Sequence, residues 1–142
     1  MKKIAIVGSR NFKNYYVFKR VVSLILDFNN LTKKQIEIIS GGAEGADSLA
    51  RRYAIENSIP FKELLADWKK FGKKAGYIRN VEIWNYSDFG IAFWDGVSKG
   101  TSHSIDLAEK QGKKLFLYYA PENKIYLLLK KEHFEMFKKK FL

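Results

Sequence analysis

Short apolar runs alternate with stretches of helical period along the whole chain, and three of those runs end in glycine-bearing loops. Lys3–Val7 leads into Gly8-Ser9-Arg10, and Ile36–Ile39 leads into Ser40-Gly41-Gly42-Ala43-Glu44-Gly45-Ala46-Asp47. Phe89–Trp94 leads into Asp95-Gly96 and on to Gly100-Thr101. Runs of this length, rich in branched and aromatic residues and closed by glycine, read as buried strands. Between them, Tyr15–Phe28 places Val17, Val21, Val22, Leu24, Ile25 and Phe28 at helical spacing, with Asn14 as its cap. A second helix is expected over Asp47–Asn57, with Leu49, Ala50, Tyr53 and Ala54 on one face and Pro60 preventing its continuation.

The rest of the chain continues the pattern. Phe61–Ala66 reads as a third strand, residues 67–78 as loop or short helix, and Arg79–Tyr86 as helix. After the Phe89–Trp94 strand, Thr101 or Ser102 is expected to cap a helix running to about Gln111 and stopped by Gly112. Leu115–Tyr119 is a fifth strand, Pro121-Glu122-Asn123 a turn, Ile125–Leu129 a sixth strand and His133–Phe141 an amphipathic end helix. Strands alternating with helices imply parallel pairing and right-handed crossovers. The expected fold is therefore a three-layer, Rossmann-like α/β domain, its open and mainly parallel sheet covered by helices on both faces. Residues 1–120 form the ligand-binding domain, and 121–142 a basic extension, strand plus helix, packed on it.

Composition narrows the function classes. The chain has 142 residues, 46% of them hydrophobic and 29% charged, a globular mixture. With no cysteine and two separated histidines, neither a disulfide framework nor a zinc site is expected. The opening Met1-Lys2-Lys3 and apolar run resemble a secretory signal, but Gly8 cuts the run too short. No apolar stretch reaches membrane-spanning length. The expectation is a cytoplasmic protein that does not partner a membrane, with self-association left open.

Net charge is +11, which favours anionic partners. Residues 62–79 carry Lys62, Lys69, Lys70, Lys73, Lys74 and Arg79 against Glu63 and Asp67, with Trp68, Phe71 and Tyr77 interleaved. Residues 124–142 carry six lysines against Glu132 and Glu135. A solvated lysine-rich surface is the plain alternative for both stretches, and a stronger one for the tail than for residues 62–79.

In a sheet of this kind ligands bind beyond the carboxyl ends of the strands, where the strand order reverses. Glycine lets backbone approach a ligand, and a helix start offers unpaired N–H groups and partial positive charge. Three such loops at one sheet edge predict a phosphate held by main-chain amides. Neither the P-loop lysine nor a G-x-G-x-x-G follows a strand here, so neither standard nucleotide fingerprint applies.

Four motifs occur in order: Gly8-Ser9-Arg10-Asn11-Phe12; Ser40-Gly41-Gly42-Ala43-x-Gly45-Ala46-Asp47; Ala66-Asp67-Trp68 with Gly76-x-x-Arg79-Asn80; and Ala92-Phe93-Trp94-Asp95-Gly96-x-Ser98-x-Gly100-Thr101. Over residues 3–118 the chain resembles the YspA/YpsA-related branch of the SLOG superfamily. That Rossmann-like group includes the DprA DNA-processing proteins and the LOG phosphoribohydrolases. The resemblance implies a nucleotide-type ligand and a site built from Gly8, Ser9, Arg10, Ser40, Gly41, Gly42, Gly45, Asp47, Arg79, Asn80, Asp95, Gly96, Gly100 and Thr101. No cofactor comes with it. Glu44 sits where relatives often carry a basic residue, and Ile83 where a methionine is frequent. LOG enzymes resemble P-G-G-x-G-T-x-x-E, but here Leu49 holds the position of the glutamate and Ala46 that of the threonine, so catalysis does not transfer.

Each candidate carries a plain structural alternative. Arg10 and Arg79 suit bidentate phosphate binding or an internal ion pair. Asp47 suits a ribose hydroxyl, general-base work, or capping of its own helix; Asp95 suits the same chemistry or a turn. Trp68 and Trp94 suit base stacking or core packing. His103 suits a ligand contact or a solvated helix end, and His133 reads as a surface residue. The leading expectation is binding of a phosphate-bearing nucleotide or nucleotide derivative. The alternatives are an N-glycosidic hydrolase using Asp47 or Asp95, and single-stranded nucleic-acid binding through residues 62–79.

Overall fold

The computed structural model describes all residues, Met1–Leu142. Its sheet has six strands in the order β3-β2-β1-β4-β5-β6. These are β1 (Lys2–Gly8), β2 (Ile36–Ser40), β3 (Phe61–Glu63), β4 (Phe89–Trp94), β5 (Lys114–Tyr119) and β6 (Lys124–Leu128). All neighbours pair in parallel except β5 and β6, which are antiparallel. The strand order reverses between β1 and β4, and β1 pairs with both β2 and β4. The chain has a Rossmann-like α/β fold.

Every residue of β4 is buried, as a central parallel strand covered on both faces demands. One face is closed by α1 (Tyr15–Phe28) and α2 (Ala46–Glu56). Phe18, Val21, Val22 and Ile25 from α1 and Ala50, Tyr53 and Ala54 from α2 pack there on Ile4, Ile6, Ile38, Ile91 and Phe93. The other face is closed by α4 (Ala75–Tyr86), α5 (Lys99–Lys110) and α6 (Lys131–Phe141). They supply Ile83 and Trp84, then Ile105, Leu107 and Ala108, then Phe134 and Phe137. Asn14 caps α1 as the sequence predicts, accepting from the Val17 N–H at 3.1 Å. Leu24 and Phe28 are both exposed, although Phe28 still meets Phe116 of that face edge-on, with ring centroids 5.7 Å apart. No helix is long and apolar enough to cross a membrane.

Four local expectations need correction. The third strand stops at Glu63, because β3 is an edge strand whose pairing with β2 ends at Ser40. The helix expected from Arg79 begins at Ala75. Ahead of it a short α3 (Trp68–Phe71) ends at Gly72, whose φ of +60° turns the chain into a 3₁₀ turn, Gly72–Lys74, that feeds α4. Lysines and glycines in that stretch mask the helical period. The α5 helix begins at Lys99, ahead of Thr101 and Ser102, so neither is its cap. Asp95 accepts the N–H groups of Val97 (2.9 Å) and Ser98 (2.8 Å) and turns the chain early. Asp47 does not cap α2 either; Gly45 occupies the cap position and Asp47 is the second helical residue. Gly112, with φ of +66°, follows the end of α5 as expected.

Candidate functional site

The glycine-bearing strand exits meet at Ser9. Its N–H donates to the Phe93 carbonyl at 2.9 Å and its carbonyl accepts from the Ala46 N–H at 3.3 Å. Its hydroxyl accepts from the Asp95 N–H at 3.0 Å. Ser9 is therefore buried and ties β1, the start of α2 and the end of β4 together. Gly45 allows that convergence: at φ of +73°, a Cβ there would lie 2.3 Å from the Ser9 carbonyl oxygen and 2.4 Å from that of Arg10.

Beside this knot, beyond the carboxyl end of β1, opens a cleft of about 270 Å³. Val7, Gly8 and Arg10 form its β1 side; Ala43 and Asp47 come from the second loop and the start of α2. Arg79, Asn80 and Ile83 line it from α4, and Ser98, Gly100, Thr101 and Ser104 from the start of α5. Of the residues singled out in the sequence, Gly8, Arg10, Asp47, Arg79, Asn80, Gly100 and Thr101 come together here. Ser9, Ser40, Gly41, Gly42, Gly45, Asp95 and Gly96 do not line the cleft. They shape the loops around it.

Arg79 crosses the cleft wall. Its Nη1 donates to the Gly41 carbonyl at 2.5 Å and its Nε to Asn80 Oδ1 at 3.0 Å. Gly41 has no side chain because the guanidinium lies where one would go: a Cβ would come within 2.8 Å of Nη1. Neither Arg10 nor Arg79 has a carboxylate within 4.0 Å, so the ion-pair alternative fails for both. Arg10 is exposed at the cleft mouth.

Asp47 is 7% exposed and accepts from the Ala43 N–H at 3.1 Å. Burial pushes its carboxyl above the usual range. The Ala43 amide and the Arg79 charge oppose that rise without cancelling it. Burial also raises Asp95, but there the Val97 and Ser98 amides, with Ser9 and Asn11, outweigh it and hold the carboxyl low. Asp95 is thus a turn-forming anion engaged by its own loop. Glu44, the misplaced negative charge of the motif, is exposed and outside the cleft.

Thr101 is 3% exposed and lines the cleft, yet its hydroxyl has no partner. It lies in the first turn of α5. The N–H groups of Lys99, Gly100 and Thr101 there have no acceptor within the protein, and no side chain caps the helix. A negatively charged group is the natural complement of such an end.

The sequence reading missed Val7, Ala43, Ile83, Ser98 and Ser104 as wall residues. Ile83 and Ser104 had a signal, standing four residues after Arg79 and three after Thr101 on the same helix faces. His103 is not solvated: its ring stacks on Tyr77 at 4.3 Å, and burial pushes its pKa down against the pull of Asp106. His133 is half-buried and accepts from the Leu129 N–H at 3.1 Å. Trp94 is core, its Nε1 donating to the Ser98 carbonyl at 3.0 Å; Trp68 is exposed.

Residues 2–71 match the model of a family described as YAcAr, the YspA, cpYpsA-related SLOG family. The Gene 61 protein of Mycobacterium phage D29 is 36% identical over 118 residues, covering 79% of this chain and 92% of the relative. The chain belongs to the YspA, cpYpsA-related SLOG family.

Among solved structures, this SLOG fold recurs in DNA processing protein A of Helicobacter pylori, whose structure concerns its single-stranded DNA binding mode. There the TM-score is 0.65 at 22% identity, covering 98% of this chain and 73% of that one. DNA processing protein A of Streptococcus pneumoniae gives 0.62 at 18%, covering 82% and 50%. The structural-genomics protein TM1055 gives 0.58 at 21%, covering 81% and 72%. At these identities the likeness is one of fold.

Proposed function

We propose that the cleft binds a nucleotide or nucleotide-derived small molecule, with its phosphate at the start of α5. One observation carries the reading: the Thr101 hydroxyl is buried without a partner on a helix end with no side-chain cap and no acid in its first turn, facing a cleft with two arginines that have no carboxylate partner. Leaving a buried hydroxyl unsatisfied costs about 1–3 kcal/mol, which a ligand acceptor recovers. Asp47, on the α2 side of the same cleft, gives an acceptor for ribose hydroxyls. Membership of a SLOG family supports the nucleotide class.

Calorimetry with nucleoside monophosphates, ADP-ribose-type ligands and cyclic nucleotides tests this, with the matching nucleosides as controls. Saturable binding that requires the phosphate and weakens in Thr101→Val is the expected result. No heat or thermal shift anywhere in that panel at millimolar ligand would falsify it.

A hydrolase reading draws on one feature, the elevated Asp47 carboxyl, which a general acid or base needs. Against it, Leu49, at the position of the LOG glutamate, packs on the α1–α2 core. Release of free base from a nucleotide, lost in Asp47→Asn, would establish it.

A further inference from the structure

Next to the cleft, residues 68–77 present three aromatic rings among unpaired cations. Trp68 is 56% exposed, Phe71 39% and Tyr77 54%. Lys69, Lys70, Lys73 and Lys74 are exposed and have no carboxylate within 4.0 Å. The neighbouring acid, Asp67, is occupied in capping α3, accepting the Lys70 N–H at 3.0 Å.

Two of the rings are held in place. Trp68 lies over Gly76, where a Cβ would come within 3.3 Å of its Cη2. Tyr77 stacks on His103 with 26° between the planes. His103 is fixed in turn. Arg79 Nε is only a donor and binds Asn80 Oδ1, which aims the Asn80 amide nitrogen at His103 Nδ1, 3.3 Å away. Nδ1 therefore accepts, and the neutral ring carries its proton on Nε2. A rigid aromatic ring with one face covered and the other open is a stacking platform for a base.

The platform adjoins the phosphate-binding end. Tyr77 and Asn80 are three residues apart on α4, so their Cβ atoms are about 5–6 Å apart. Tyr77 faces solvent while Asn80 lines the cleft. That step is on the order of one nucleotide. A duplex has no free base faces to offer, whereas a single strand does.

We infer that the cleft takes the phosphorylated end of a single-stranded nucleic acid. Its terminal phosphate monoester meets the start of α5, the adjoining bases stack on Tyr77 and Trp68, and the following phosphates run over Lys69, Lys70, Lys73 and Lys74. This rests on the nucleotide reading of the cleft and extends it from a monomer to a polymer end.

Fluorescence anisotropy tests it with short labelled single strands bearing a 5′-phosphate, a 3′-phosphate or hydroxyls at both ends, alongside calorimetry with AMP. One phosphorylated end is expected to bind about tenfold or more tighter than the hydroxyl-ended strand, the scale of one charge-assisted phosphate contact. Trp68→Ala with Tyr77→Ala weakens the strand about tenfold or more and AMP, which offers a single base to the two rings, by a smaller factor, while Tyr77→Phe retains strand binding. Changing the four lysines to Gln flattens the salt dependence. Equal affinity for phosphorylated and hydroxyl-ended strands overturns the inference, as does binding to anionic vesicles in place of strands. AMP binding without strand binding overturns the extension and leaves the monomer reading standing. Failure of both removes the two together.

Discussion

Helices α2 and α5 both start at the cleft on glycine-bearing loops, but only α2 arrives with part of its positive end already engaged. The first N–H of α2 is taken by the Ser9 carbonyl, and Asp47 places a carboxylate in its first turn. Neither helix has a side-chain cap, but the start of α5 has no acid in its first turn, no first-turn amide taken by another loop, and an unpartnered hydroxyl. Macrodipole and unpaired N–H groups are common to both, so helix starts alone do not locate an anion site. What separates them is whether the first turn itself carries a carboxylate: Asp47 does so in α2, whereas Asp95 stops at the N–H of Ser98, ahead of the first turn of α5. Gly41, Gly42 and Gly45, the densest glycine cluster in the sequence, therefore shape the loop beside the cleft, and the sparser Gly100-Thr101 lines it.

The sharpest way to break this contrast is a pair of glycine substitutions. Gly45→Ala forces a Cβ into main chain at positive φ and should destabilise the fold by about 2–5 kcal/mol. Gly100 has nothing within 4 Å of its missing Cβ, so Gly100→Ala should melt within about 0.5 kcal/mol of wild type while weakening the phosphate ligand. Denaturant melts of the two variants check both. Equal losses of stability would mean that the two loops are alike.

Thr101→Val comes next in size. Removing a buried hydroxyl with no partner should raise stability by about 1 kcal/mol and lower nucleotide affinity about tenfold. A variant less stable than wild type would show that Thr101 is already satisfied within the protein.

Asp47 sharpens the α2 side through pH. Burial raises its folded pKa above the ordinary 3.8, so the folded state holds this proton more tightly than the unfolded chain. The stability it contributes is fully present below 3.8 and is lost as pH rises through the folded value. Asp47→Asn should therefore stabilise the protein at neutral pH and remove that part of the pH dependence, as melts between acid and neutral pH would show.

The smallest effect is at His103, which the fold holds below its ordinary 6.5. A histidine depressed on folding keeps its stability above 6.5 and loses it as pH falls from there toward the folded value. His103→Gln should flatten this acid-side decline in melts below neutral pH.

Much of the architecture was legible because burial leaves a periodic trace. Tyr15–Phe28 and Phe89–Trp94 have the bounds that their apolar pattern indicates. The start of α4 was hidden, because its first turn follows a run of lysines and glycines without a helical stripe, and because Trp68 covers Gly76 from outside the helix. The cleft was half legible. Arg10, Arg79 and Thr101 stand in motifs that point to it, whereas Val7 and Ala43 are wall residues only by virtue of which strands and loops become neighbours. The roles of Ser9 and Gly45 depend on contacts between distant loops, and no local pattern carries those. Unequal satisfaction of two helix ends is likewise a tertiary property, since it hangs on where Ser9 and Asp47 come to rest.

Amide chemical-shift mapping with a nucleoside monophosphate locates the helix start that takes the anion. The largest perturbations are expected on Lys99, Gly100 and Thr101, with the Ala46 amide little changed. Perturbations centred on Ala46 and Ser48, with the start of α5 silent, would contradict it.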